Sequence, residues 1–202
     1  MSPYLSRLLI PFARVFAGGN ITVKDQVEML KDVSMHWIAG TPLGDVVKPT
    51  SNPEALVHAY LFRACEQFIV GHEFGHTVFG HASYSTDRAA NHKMEYDADE
   101  YGARLLFELM ARGIDSSGEA GNSTECYGLI APAIVLGGFS IFVPGDTFSH
   151  PAPLDRMMTF IENYQGYLPR GHTWPKSHLQ LVLQNVVAVA QAFYKWAEHK
   201  TF

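Results

Sequence analysis

His72-Glu73-Phe74-Gly75-His76 lies near the end of a long run, Asn52 to Phe79, and reading that run as one helix decides the fold around it. Asn52 and Pro53 supply a start signal, as N-cap and first helical residue. Apolar residues at 57, 60, 61, 64, 65 and 68 keep a helical period, and Gly80 supplies a stop. On a helix, residues four apart share a face, so the imidazoles of His72 and His76 project together, close enough to hold one metal ion. Two neutral nitrogens suit Zn²⁺. Glu73 lies beside that face, outside the ligand pair, where its carboxylate can take a proton from an attacking water.

A catalytic zinc wants a third protein ligand and one open position. The next helical stretch, Met94 to Phe107, offers Glu95 and, one turn on, Asp99, with the small Ala98 between them allowing close helix approach. Glu95 can be the third ligand. Asp99 can hold the other nitrogen of a ligating histidine and so fix its tautomer. The competing reading makes Glu95, Asp97, Asp99 and Glu100 a solvated acidic face. Their place directly after the His-Glu helix, with a loop to turn the chain back, favours the ligand reading. His92 is a lesser candidate for the same position.

His72-Glu73-x-x-His76 followed by Glu95-x-x-Ala98-Asp99 resembles the gluzincin metallopeptidases, in particular the CAAX prenyl proteases and bacterial heat-shock membrane proteases. A third element, His150-Pro151 with Arg156 five residues on, is similar to a segment of that group that returns a histidine to the active site. The resemblance covers 72–156. It implies His72, His76 and Glu95 as zinc ligands, Glu73 as general base, and Asp99 as the partner of His72. It further implies that His150 stabilises an oxyanion and that Arg156 makes a structural ion pair. Membrane members of the group carry long transmembrane helices, and this chain is more like the soluble phage-exclusion type of peptidase. The metzincin pattern fits worse: it needs a histidine at 82, where Ala82 stands, and His81 and Gly80 are out of register.

Composition bounds the rest. A chain of 202 residues with 47% hydrophobic and 17% charged residues can bury one sizeable core. A single domain over 1–202 is expected, with a motif core at 52–165 and packing extensions at 1–50 and 166–202. A net charge of −5 argues against a nucleic-acid partner, and the resemblance implies a protein or peptide substrate. Two cysteines, Cys65 and Cys126, make no disulfide framework, and a reducing cytoplasm is the simplest setting. Residues 1–19 are faintly like a targeting sequence, but Pro11 and Arg14 interrupt the apolar core a secretory signal needs, and a surface-packed amphipathic helix fits better. Cys126 to Gly145 could just reach the ~20 residues a membrane span needs. Its prolines and glycines, and the need for an apolar helix against the metal site, favour a buried core helix.

Local patterns predict a mainly α fold with at most a small β element. Helices are expected at 3–16, 24–38, 52–79, from about 91 to Arg112 with Gly113 as stop, 125–142, 153–165 and 176–198, with loops at 81–90, 118–123 and 165–175 and a turn at 144–146. Strands, if any, fall at 20–23 or 44–48, and the sequence does not choose between them. His36, His58, His172, His178 and His199 show no ligand spacing. Tyr164 and Tyr167 are candidates to assist an oxyanion or are packing residues. The expected activity is a zinc-dependent metalloendopeptidase with one Zn²⁺ per chain. The alternatives are a zinc-binding module without chemistry and a metal-free helical interaction protein.

Overall fold

The computed structural model describes residues 3–41, 48–81, 85–117, 124–139, 145–168 and 176–198. Seven helices are formed among them, with no strand: α1 (Pro3–Phe16), α2 (Val23–Ile38), α3 (Asn52–Val78), α4 (Arg88–Ser117), α5 (Thr124–Phe139), α6 (Pro153–Tyr167) and α7 (Lys176–Glu198). The mainly α expectation therefore holds. Residues 20–22 are not a strand, because Thr22 caps α2. Its hydroxyl accepts from Asp25 N at 3.2 Å, and the Asp25 carboxylate accepts from Thr22 N at 3.0 Å, so each satisfies an orphan donor of the other. The other strand candidate, 44–48, falls outside the described residues except for Lys48.

Three helix ends differ from the sequence reading, each for a local physical reason. The cap of α3 is Ser51, not Asn52: the Ser51 hydroxyl accepts from Glu54 N at 3.3 Å, and Pro53 occupies the first turn. The fourth helix starts earlier than expected because Asp87 caps it, its carboxylate accepting from Ala89 N at 2.9 Å. It then runs through Gly113 to Ser117. A helical glycine costs only about 1 kcal/mol relative to alanine, which does not by itself end a long helix. The loop at 118–123 and most of that at 165–175 lie outside the described residues, as does Pro144 of the expected turn.

The frame of the site is the antiparallel pair α3–α4. Gly71 faces Gly102 and Gly75 faces Ala98, so closely that a methyl built on Gly102 would come within 2.8 Å of His72 N. Backbone meets backbone there, and only residues with little or no side chain permit it. Helix α5 packs on both α3 and α4, and also on α6 and α7. Residues 130–138 of α5 are buried throughout, as befits a helix that is apolar all round. No helix of the described residues is long and apolar enough to cross a membrane.

Phe68, Leu61, Ile130, Ile134, Phe107 and Met157 are each less than 2% exposed and belong to one continuous core. Each such side chain stabilises the fold by about 1.5–3 kcal/mol relative to an exposed one. Cys65 is part of this core, and burial pushes its thiol well above the usual range, so it is no nucleophile at neutral pH. Polar hooks fix α1 on α3: Arg14 pairs with Glu54 at 2.8 Å, and His58 Nε2 sits 3.0 Å from the Ser6 carbonyl. His58 is thus a packed histidine. On α2, His36 turns its Nδ1 to the Asp32 carbonyl. His172 and His199 lie outside the described residues, as does the side chain of His178.

Candidate metal centre

His72 and His76 project from the last turns of α3, and Glu95 meets them from the second turn of α4. The two Nε2 atoms are 3.1 Å apart. Glu95 Oε2 lies 3.7 Å from His72 Nε2, and Oε1 lies 3.5 Å from His76 Nε2. All three residues offer a ligand atom within 4.8 Å of the others, so the spacing on α3 and the carboxylate on α4 converge as the sequence suggested.

Asp99 is buried beside them and does not belong to a solvated face. Arg156, from the first turn of α6, grips it with two hydrogen bonds, Nε to Oδ2 at 2.8 Å and Nη2 to Oδ1 at 2.7 Å. Burial alone would raise this carboxyl. The hydrogen bonds from Arg156 and His72 outweigh it and hold Asp99 below the ordinary carboxylate range. Arg156 is held above its ordinary value in turn, because Asp99 more than offsets its burial. Asp97 and Glu100, on the same helix, turn outward and pair with Lys93 and Arg104. The acidic stretch thus splits into an inner pair at the site and an outer, half-exposed pair.

Because Asp99 is ionised it can only accept, so His72 must donate to it from Nδ1, 2.9 Å away. In the neutral ring that leaves the Nε2 lone pair pointing towards Glu95. Burial, and next the adjacent His72, hold His76 below the ordinary histidine range, so His76 is neutral at pH 7. Its Nδ1 meets Nδ1 of His81 at 3.0 Å. Glu95 itself is 1% exposed, yet neither of its oxygens has a hydrogen-bond donor. Arg156 Nη1 is 3.2 Å from Oε2, close enough for charge attraction but not placed to donate. A buried carboxylate without donors, opposite two imidazole Nε2 atoms, is costly as it stands. A divalent cation among these atoms removes that cost, so the donor set fits the zinc expected from the sequence.

His150 arrives on a tight turn before α6. Thr147 N donates to the His150 carbonyl at 2.8 Å, and His150 N donates to the Thr147 hydroxyl at 3.0 Å. The first turns of α4 hold this turn in place. His92 Nε2 bonds the Thr147 carbonyl at 2.9 Å, buried Asn91 reaches the Phe148 carbonyl, and Arg88 pairs with Asp146. His92 is committed to that carbonyl and stands outside the ligand cluster. His150 Nε2 ends 3.4 Å from Glu95 Oε1, and its Nδ1 lies 2.7 Å from the Ser149 hydroxyl.

Glu73 is exposed on α3 and shares with His72, Glu95 and His150 the polar side of a cavity of about 380 Å³. Phe68, Ile69, Val135 and Leu136 line its apolar side. Tyr164 and Tyr167 are not part of that lining. Tyr167 stacks on Phe160 and carries the Arg104 guanidinium over its ring, and the Tyr164 hydroxyl accepts from Gln165, which makes both packing residues.

Sequence reasoning missed the parts of His81, Asn91 and His92. Only His81 left a signal, standing directly after a helix-ending glycine. No curated protein and no solved structure matches the chain. Residues 22–174, which contain every side chain that converges on this cavity, match the family model described as Peptidase U49, and the chain belongs to that peptidase family.

Proposed function

We infer that the protein is a zinc-dependent metalloendopeptidase of gluzincin type, with His72, His76 and Glu95 as ligands of one Zn²⁺. The observation that carries this reading is Glu95: nearly fully buried, without donors to either oxygen, and opposite two histidine Nε2 atoms. Zinc at such a site supplies a Lewis acid that acidifies water and polarises a carbonyl.

The chain's own residues supply the rest. Glu73, at the edge of the cavity and free of any ligand geometry, takes the proton of the water that attacks the scissile carbonyl carbon. It then delivers that proton to the leaving amine as the C–N bond breaks. His150 donates from Nε2 to the oxygen on which negative charge develops. This role requires the ring proton on Nε2, and with it there Nδ1 accepts from the Ser149 hydroxyl 2.7 Å away. Asp99 holds His72, and Arg156 holds Asp99 and faces Glu95, so these two residues keep the ligands in place.

Glu73→Gln keeps the shape and removes the base. Zinc content and thermal stability should stay at the wild-type level, while peptide-bond cleavage falls by about 10²–10⁴-fold. A glutamine variant that cleaves as fast as wild type would remove Glu73 from the mechanism. A wild type that binds zinc but cleaves nothing across a broad peptide library would favour a zinc-binding module without chemistry.

A further inference from the structure

The end of α3 is built around its second histidine. After Phe79, the last residue in regular register, Gly80 N donates to the Thr77 carbonyl at 3.2 Å and His81 N donates to the His76 carbonyl at 2.8 Å. Gly80 takes φ +69°, a left-handed conformation that a residue with a Cβ rarely adopts. This pair of reversed bonds is the Schellman motif, and it folds the residue after the glycine back over the one five positions earlier. That contact is ordinarily apolar. Here it joins two half-buried histidines, with Nδ1 to Nδ1 at 3.0 Å and ring centroids 5.2 Å apart. Phe79 packs on the other ring of the pair, His81, at 5.6 Å, and is itself braced against Tyr101 of α4 at 5.8 Å.

We propose that His81 is a positioning residue, which fixes the ring of His76 through Nδ1 and thereby aims its Nε2 at the metal. This rests on the reading of His72, His76 and Glu95 as ligands. Metal-binding histidines generally have their second nitrogen held by a hydrogen-bond partner, which sets tautomer and ring angle. His72 has Asp99 for this, at 2.9 Å. His76 has no carboxylate at that position, and His81 stands there instead. His81 is not itself a ligand, because it meets His76 on the Nδ1 side of the ring, and it lies outside the cluster of convergent ligand atoms. The turn that ends the helix therefore also orients the site, which gives Gly80 a role beyond stopping α3.

The test uses the full chain, with Zn²⁺ affinity from competition against a chromophoric chelator, the Co²⁺ absorption spectrum, and the melting temperature of the metal-free protein. His81→Leu suits the apolar position of the motif, so the metal-free protein should melt no lower than wild type. Its Zn²⁺ affinity should nevertheless fall by about 10–100-fold. His81→Asn, which places a polar atom where Nδ1 sits, should recover most of that loss, and the Co²⁺ spectrum should keep its wild-type intensity in both variants. The inference is overturned if His81→Leu binds zinc as tightly as wild type, or if its affinity falls only together with its melting temperature. It is also overturned if the Co²⁺ spectrum changes as it does in His76→Ala and asparagine recovers nothing, for His81 is then a ligand. The ligand reading fails separately, and takes this role with it, if His76→Ala binds zinc as well as wild type does.

Discussion

Arg156→Met isolates the charge pair beneath the site. Methionine keeps an unbranched apolar stem of similar length, so packing against α4 survives and the guanidinium alone is lost. Arg156, Asp99 and Glu95 are 7%, 6% and 1% exposed, so water cannot take over the two hydrogen bonds to Asp99 or the charge facing Glu95. Removing one partner of a buried pair leaves an uncompensated charge and costs about 3–5 kcal/mol. For a chain of this size each kcal/mol lowers the melting temperature by roughly 2–4 °C, so a fall on the order of 6–20 °C is expected in chelator at pH 7. Far-UV circular dichroism melts measure it directly. The double variant Asp99→Asn, Arg156→Met should melt above Arg156→Met alone, because the orphaned carboxylate is gone. A loss below about 1 kcal/mol in the single variant would refute the claim that this pair is dry and tightly coupled.

The other predictions are of smaller scale. His150→Ala should retain zinc and fold while kcat falls about 10²–10³-fold and KM changes little; zinc loss would make His150 a ligand instead. Gly102→Ala drives a methyl to 2.8 Å from His72 N, and overpacking of about 1–3 kcal/mol should exceed the gain in helix propensity, with zinc affinity falling in parallel in a chelator titration. Gly145→Ala meets no atom within 4 Å and serves as the control, with stability within about 0.5 kcal/mol of wild type by urea unfolding. Glu54 is buried, yet hydrogen bonds from Thr50 and Arg14 outweigh that burial and hold its carboxyl below the ordinary value. Its stabilisation is therefore complete above the unfolded glutamate value of about 4.3 and is lost as pH falls through the lower, folded one. Glu54→Gln should accordingly lower stability near neutral pH and flatten the acid limb of a melting-temperature profile; an unchanged acid limb would argue against it.

The local chemistry of the chain determined a great deal. Helical period and stop residues placed α1, α6 and α7 nearly to the residue, because apolar spacing and proline or glycine punctuation act within a few positions. His72 and His76 were legible as a pair for the same reason, since four residues of helix bring two side chains to one face whatever surrounds them. What lies beyond one element was decided by packing. Glu95 and Asp99, one turn apart, were legible as a pair on one face of α4, but whether that face is buried or solvated was not. Glu95 and Asp99 are buried because Gly71 and Gly102 let α4 close on α3, and Asp97 and Glu100 face outward by helical geometry. The cap at Asp87 and the passage through Gly113 depended likewise on which competing local signals the packed chain could satisfy. The placement of His150 over Glu95 required a turn held by Asn91 and His92 from 55 residues or more away in sequence, a contact that no local pattern encodes. His81 stands between these cases: its glycine signal is local, but its ring acquires a purpose only where the folded chain turns it onto His76.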